Sequence, residues 1–461
     1  VALLDHKRIH FIGIGGSGVS GLAEIAYLQG YSVTGSDASS NANTDRLAHL
    51  GIALSTEHDA SHIQNTDAVV YSTAIKENNV ELKAAREANL PCMRRGEFLA
   101  ELFNLKYGIA VAGTHGKTTT SSLISHTLLY VGLNPTFVIG GVLKEVGSSA
   151  YLGDRDYFVA ESDESDGSFL WLKPKVAIVT NIDRDHLENY QGDFNELKKA
   201  FLKFIHNVVV DGLVILCLDD PIVAELIPEI KRPYVTYGFS EKADYCARDF
   251  LPNGLKTQFS VTHAGKTRSI NLTLPGVHNV LNAMAVIALA DYLKVPEGKI
   301  EEALGSFKGV GRRFQFHGEY PVHAGLAQVY EDYGHHPNEV KATIQAAKDA
   351  WPQARVVVVF QPHRYTRTRD LMQEFVQVLL RADVLVLLDI YPAGEPEIPG
   401  INSEVLLNLI NQYNKVPAKL IQVLDNLNSE LNDLLQAGDI VLFQGAGSIG
   451  QMAKKFISHS G

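Results

Sequence analysis

Short apolar runs alternate with amphipathic stretches from the start of the chain. Residues 8–14, Arg-Ile-His-Phe-Ile-Gly-Ile, read as a strand that breaks into glycines. The following 19–30 carries helical spacing and stops on Gly30, and 31–35 reads as the next strand. An apolar run at 68–71 and a helical stretch at 77–89 continue the β and α alternation, which implies a parallel sheet.

A second alternation begins at 107–112, passes through a glycine-bearing loop into a helix ending near Tyr130, and continues with strands at 157–160 and 176–180. From 234 to 274 the pattern shortens, with turn signals at Asn253-Gly254 and Ala264-Gly265, which predicts antiparallel hairpins. A helix over 279–293 closes this part. A third alternation runs through 355–360, 384–389 and 440–443. The expected fold is therefore α/β in three domains. These are an N-terminal Rossmann-like parallel sheet (1–94), a central P-loop domain with an antiparallel β insertion (95–312), and a C-terminal Rossmann-like α/β domain (313–461).

Composition narrows the function classes. With 461 residues the chain exceeds a single core, and 46% apolar with 20% charged residues fits a folded, soluble protein. No apolar run approaches the roughly 18 to 20 residues that span a bilayer. The net charge of -11 is spread along the chain, against a general nucleic-acid surface, and Arg94-Arg95 reads as a solvated basic face. Cys92, Cys217 and Cys246 have no paired spacing, which favours a reducing cytoplasm over a disulfide framework or zinc site. No signal-peptide pattern precedes the first strand, although the sequence begins at Val1.

The chemistry concentrates where strands end. Gly113-Thr114-His115-Gly116-Lys117-Thr118-Thr119 lies between a strand and a helix, where backbone amides and the helix dipole favour an anion. Lys117 suits the outer phosphates of ATP, and Thr118 suits magnesium through its hydroxyl. The spacing is shorter than the general P-loop, because Val111 stands where the first glycine is expected. Glu161 ends the next strand and is the favoured carboxylate ligand, whereas Asp163, Glu164 and Asp166 read as solvated charge. His186, in Asn181-Ile-Asp-Arg-Asp-His186, is either a second metal ligand or a cap.

Gly13-Ile14-Gly15-Gly16-Ser17-Gly18, with Asp37 about 20 residues on, matches the dinucleotide fingerprint and by itself suggests NAD. A second copy, Gly445-Ala-Gly-Ser-Ile-Gly450, is either another phosphate loop or a tight strand-to-helix turn. Two clusters, Asp332-Tyr-Gly-His335-His336-Pro337 and His363-Arg364-Tyr-Thr-Arg367, carry the Arg and His chemistry that recognises carboxylate or phosphate. Three readings follow: an ATP-dependent ligase, a nicotinamide-dependent dehydrogenase with an appended ATPase, and an ATP-driven switch or kinase using Lys117.

Together these segments resemble the Mur ligases of bacterial cell-wall synthesis over essentially the whole chain. The resemblance rests on His10-Phe-Ile-Gly-Ile-Gly-Gly-Ser-Gly with Asp37, on Gly113-Thr-His-Gly-Lys-Thr-Thr, on Asn181 to His186, and on Pro275-Gly-Val-His-Asn-Val-Leu-Asn282 with Gly311-Arg-Arg-Phe314. It implies a cytoplasmic ligase that joins L-alanine to the lactyl carboxylate of UDP-N-acetylmuramate through an acyl phosphate, releasing ADP and phosphate during peptidoglycan precursor synthesis. The substrates would be UDP-N-acetylmuramate, L-alanine and ATP, with magnesium, for which manganese can substitute, and with no nucleic acid or membrane span.

By the same resemblance Gly15, Gly16, Ser17, Gly18, Asp37 and Ser72 would hold the uridine diphosphate. Gly113 to Thr119 would hold ATP with Asn279, Asn282 and Arg313. Thr118, Glu161 and His186 would bind the metal, and His335, His363, Arg364 and Arg367 would orient the carboxylate and alanine. Lys117, Glu161, His186, Arg313, Asp332 and His335 form the expected catalytic set, with Asp332 or His335 accepting the amine proton. The carbamylated lysine of many family members aligns with Phe201, flanked by Lys198 and Lys199, so none is expected.

Overall fold

The computed structural model describes residues 7–422 and 426–458. The chain forms two compact units. One runs to Arg248 and includes Val261–Arg268 and Leu281–Phe307; the other comprises Asp249–Ser260, Ser269–Val280 and the chain from Lys308.

The first sheet is parallel, in the order Ala53–Ser55, Ser32–Ser36, Arg8–Ile12, Ala68–Tyr71, Cys92–Arg94. Its strand order reverses beside the first strand, the switch point at which such sheets leave a crevice at their carboxyl ends. Gly13 to Gly18 stand there, and the helix Ser17–Leu28 follows them.

The second sheet has ten strands in the order Ser148–Tyr151, Thr136–Leu143, Tyr157–Glu161, Tyr107–Ala112, Val176–Val179, Leu213–Cys217, Tyr234–Gly238, Tyr245–Asn253, Lys256–His263, Lys266–Leu272. Tyr107–Ala112 lies between two parallel neighbours and is buried from Gly108 onward, as continuous apolar strands of covered parallel sheets are. Its residues share one core with those of the first sheet. Ala110 and Ala112 lie in it with Phe11, which meets Phe98 of the helix Arg95–Phe103 edge-on at 5.6 Å.

The antiparallel reading of 234–274 holds only for its later part. Tyr234–Gly238 pairs parallel with Leu213–Cys217, because the helix Pro221–Leu226 supplies the crossover that a parallel pair requires. Tyr245–Asn253, Lys256–His263 and Lys266–Leu272 are joined by two-residue turns, which only antiparallel neighbours permit. Ala264 and Gly265 both have positive φ, 47° and 76°, as a two-residue hairpin turn favours.

The third sheet runs Gln315–Val322, Gly325–Asp332, Ile440–Gln444, Val356–Phe360, Val384–Leu388, Ala418–Ile421. Its first pair is antiparallel and the rest parallel. Val356, Val358 and Phe360 point to one core with Phe375 of the helix Met372–Leu379; Val357 and Val359 point to the other with Phe456 of the helix Ile449–Ser458. Each such buried side chain contributes about 1.5–3 kcal/mol, so strand position is fixed tightly where the site needs it.

Candidate active site

In the first unit, the strand Tyr107–Ala112 hands the chain to the phosphate loop, and local sterics shape it. Gly113 has φ +135°, and a Cβ there would run into Thr180 Oγ1. Gly116 has φ +82°, and its Cβ would stand 2.6 Å from Asn282 Oδ1. The loop is stitched to the turn after Val176–Val179. His115 N donates to Asn181 Oδ1 at 2.8 Å, and Asn181 Nδ2 returns to His115 O at 2.9 Å. Thr180 Oγ1 donates to His115 O at 2.6 Å, and Asp183 N to Thr114 Oγ1 at 2.8 Å. The helix Lys117–Tyr130 starts on Gly116, so the amides of Lys117, Thr118 and Thr119 lie in the first turn, where helical geometry provides no acceptor. That is an anion site by construction.

Lys117 lies inside the loop. Its Nζ donates to Gly113 O (2.6 Å), Thr114 O (3.1 Å) and both oxygens of Glu164 (2.9 and 3.0 Å). Burial pushes the Lys117 pKa down, but Glu164, Asp163 and Glu161 outweigh this and raise it, so the ammonium stays charged. Glu164 is not the solvated acid that its charged run suggested. Its side chain is 1% exposed, and it is the counterion of Lys117.

Thr118 and Glu161 meet as expected. Thr118 Oγ1 donates to Glu161 Oε1 at 3.1 Å, and Gly140 N holds Oε2 at 2.6 Å. A hydroxyl beside a carboxylate suits a hard divalent cation, so these residues fit magnesium. His186 stands at φ 55° with Nε2 3.6 Å from Asp185. Asn282, buried, accepts from Thr120 Oγ1 at 3.1 Å, while Asn279 Nδ2 donates to Pro275 O at 2.8 Å. At the aligned lysine position, Phe201 is buried against Phe169; Lys198 pairs with Glu225 and Lys199 with Glu196.

The glycine loop of the first sheet is equally constrained. Gly13 N and Ile14 N both donate to Ser36 O (2.8 and 3.0 Å), and Gly15 N donates to Asp37 Oδ2 at 2.8 Å. A Cβ on Gly15 would lie 2.7 Å from Asn41 Nδ2, and one on Gly18 would lie 2.6 Å from Arg95 Nη1. Gly16 caps the helix with extended backbone. Ser72 packs its Cβ against Gly13, and its Oγ accepts from Ala74 N at 3.3 Å. The Ser17 side chain lies outside the described atoms. Arg95 is not part of a solvated face: it covers Gly18 and reaches Asp166 and Asp163 at 3.6 and 3.8 Å.

In the second unit, Gly311 to Phe314 is a contorted turn, with Arg312 and Phe314 at φ 63° and 43°. Asp332 holds it. Its Oδ2 accepts from Phe314 N (2.9 Å), and its Oδ1 from Gly334 N (2.8 Å), Gln444 Nε2 (3.0 Å) and Thr343 Oγ1 (3.2 Å). These four donors occupy a buried carboxylate, so Asp332 braces the turn and is ill placed to take an amine proton. Arg313 lies 5.2 Å over the Tyr333 ring and 3.7 Å from Glu339.

His335 Nδ1 is 3.1 Å from Tyr333 O, an acceptor only, so Nδ1 carries the proton and Nε2 is left with a lone pair. Burial lowers the His335 pKa to about 4, with Glu339 opposing and Arg367 assisting. His363 lies 5.4 Å from the His335 ring and stacks on Tyr391. Its Nδ1 faces Arg367 Nη1 at 3.4 Å, and burial, His335 and Arg367 lower its pKa to about 3. Arg364, at φ 72°, lies 4.0 Å from Glu395. The structure thus gathers His335, His363, Arg364 and Arg367.

The second glycine copy is a packing device. A Cβ on Gly450 would run into the Glu331 carboxylate, and one on Gly447 would stand 2.5 Å from Tyr391. Sequence reasoning took Glu164 for solvated charge, quoted Asn181 without a role and missed Glu339. Glu339 had a local signal: it stands three residues after the helix cap His336, the spacing of a capping box.

Three family descriptions match in chain order: the Mur ligase family catalytic domain over residues 8–107, the Mur ligase middle domain over 111–290, and the Mur ligase glutamate ligase domain over 312–447. With the phosphate loop, the paired Thr118 and Glu161 and the three sheets, they define the class: the chain belongs to the Mur ligase family, the ATP-dependent amide-forming ligases. Among solved structures, it is similar to the UDP-N-acetylmuramate-alanine ligase MurC of Thermotoga maritima, with 30% identity over 98% of both chains and a TM-score of 0.83. A murein peptide ligase from Psychrobacter arcticus shares the fold at 24% identity, 98% of both chains and TM-score 0.71. UDP-N-acetylmuramate:L-alanyl-gamma-D-glutamyl-meso-diaminopimelate ligase from Neisseria meningitides matches at 31% identity over 66% of this chain and 99% of its own, with TM-score 0.61. Mur ligases use ATP and magnesium, and no helix among the described residues is long and apolar enough to cross a membrane.

Proposed function

We propose that this chain joins L-alanine to the lactyl carboxylate of UDP-N-acetylmuramate, an early step of peptidoglycan precursor synthesis in the cytoplasm. The observation that carries this reading is the likeness to the alanine-adding ligase over 98% of both chains. The domain limits proposed with it are 1–94, 95–312 and 313–461.

Carboxylates resist amines at neutral pH, because the carbon is shielded by charge and oxide is a poor leaving group. In the proposed reaction a lactyl carboxylate oxygen attacks the γ-phosphorus of ATP, ADP departs, and an acyl phosphate forms. The amine of alanine then attacks the acyl carbon, and phosphate leaves with the former carboxylate oxygen. Lys117 and the first-turn amides offset the repulsion between carboxylate and triphosphate. Magnesium held by Thr118 and Glu161, and by His186 as the family resemblance implies, would supply further charge neutralisation at the phosphates.

Gly15 to Gly18, Asp37 and Ser72 take the diphosphate and ribose of the acceptor, with Arg95 added from the structure. Asn279, Asn282 and Arg313 are assigned to ATP. Arg364 and Arg367 suit a carboxylate, with His363 beside Arg367. His335, neutral at pH 7 with a lone pair on Nε2, is the proton acceptor, and Asp332 is reassigned to positioning.

The test supplies protein, ATP, magnesium and UDP-N-acetylmuramate with each amino acid in turn. Phosphate release and an amide product should appear with alanine. Equal turnover with D-glutamate or a tripeptide, or phosphate left on the acceptor, would refute the assignment.

A further inference from the structure

Beneath the glycine loop lies a cluster that the ligase chemistry does not use. Glu81, fully buried at the start of the helix Val80–Glu87, is surrounded by three histidines. His62 Nδ1 is 2.7 Å and His10 Nε2 3.4 Å from its Oε1, while His58 Nδ1 and Ser36 Oγ both lie 2.6 Å from its Oε2. His10 is 1% exposed, and its Nε2 makes no hydrogen bond. Thr34 Oγ1 sits 2.8 Å from the other ring nitrogen, which fixes the ring with Nε2 aimed into the cluster.

We propose that His10 Nε2, His62 Nδ1 and Glu81 Oε1 form a binding site for a borderline-soft divalent cation, zinc by its donor set. Their ligand atoms all lie within 4.8 Å of one another. Two imidazoles and a carboxylate suit zinc, and ligand atoms at about 2.0–2.1 Å from a tetrahedral ion stand about 3.3 Å apart. The His10 to Glu81 separation already has that value. His62 Nδ1, at 2.7 Å from Glu81 Oε1, must withdraw by about 0.6 Å and settle at the same spacing from His10 Nε2, which lies within 4.8 Å of it. The His62 side chain lies on the single turn Ala60–Ile63 and is 24% exposed, which also provides the entry path. Binding exchanges the proton between His62 Nδ1 and Glu81 Oε1 for the metal and releases it to solvent. Thr34 on His10, with Ser36 and His58 on the second Glu81 oxygen, are the outer partners that orient such ligands. The fourth position falls to solvent water.

The ion would tie the strand Arg8–Ile12, the turn Ala60–Ile63 and the helix Val80–Glu87 together, three residues ahead of Gly13. Its role is to brace the loop, and the site does not depend on the ligase reading.

The test is calorimetric titration of the metal-stripped full chain with zinc, in excess magnesium so that the Thr118 and Glu161 pair is occupied. Cobalt(II) absorption then reports coordination geometry. We expect one zinc per chain, a four-coordinate cobalt spectrum, and binding lost in His62→Ala. Thr34→Val, which is isosteric and touches no ligand atom, should weaken binding about 10–100-fold, so it decides the matter even if His62→Ala unfolds. No zinc bound by the parent chain, or zinc bound equally by Thr34→Val, would overturn the proposal.

Discussion

Replacing Lys117 with Met removes the side-chain cation bonded to Glu164, a carboxylate that is 1% exposed. Glu164 then either remains an uncompensated buried anion or takes a proton. Burial already pushes the Glu164 pKa above its ordinary 4.5, and without Lys117 the charge that opposes this push is gone. The variant should therefore lose about 3–5 kcal/mol of stability, as broken buried pairs do. Adding Glu164→Gln removes the stranded charge and should restore most of that loss. Activity follows the other logic: both variants lack the ammonium at the phosphates, so both should lose at least about 100-fold in kcat. Urea unfolding at pH 7 and ADP release measured on the same preparations separate the two effects. A Lys117→Met protein as stable as the parent, or a double variant that regains activity, would refute the reasoning.

Other consequences follow from the same geometry. Gly113→Ala should abolish ATP binding measured by calorimetry while a native circular dichroism spectrum persists, since only the loop must distort. Asp332→Asn puts an amide against Phe314 N or Gly334 N; it should cost about 1–3 kcal/mol and lower kcat through the displaced Arg313 turn, measured by unfolding and turnover together. His278, His335 and His363 are held neutral by burial, with pKa values of about 4, 4 and 3 against an ordinary 6.5. Below pH 6.5 the unfolded chain binds protons that the folded one does not. Stability should therefore fall as pH drops from about 6.5 towards 4, by up to about 4 kcal/mol per pH unit for three histidines. A flat urea midpoint between pH 7 and pH 5 would contradict this.

Much of the fold is legible in the sequence because its strands are buried on both faces. Val356–Phe360 and Tyr107–Ala112 carry unbroken apolar runs, and glycines mark the loops that follow. Tyr234–Gly238 was misread because a short crossover helix, Pro221–Leu226, shows little periodicity, and pairing direction is set by what lies between strands. Residues proposed to hold phosphates announce themselves by type and spacing. Their supports do not. Glu164 looked like one acid among several, and only the fold turns it towards Lys117. Asp332 entered the catalytic set through the family resemblance, as an alternative to His335, and its four hydrogen-bond donors, from residues 314, 334, 343 and 444, are visible only in the fold.

The central claim is that ATP activates a carboxylate by phosphorylating it. An acceptor labelled with oxygen-18 in its lactyl carboxylate, turned over with ATP, magnesium and alanine, tests it most directly. The account predicts that the released phosphate carries one labelled oxygen, read by mass spectrometry. Phosphate free of label, alongside normal amide formation, would contradict it.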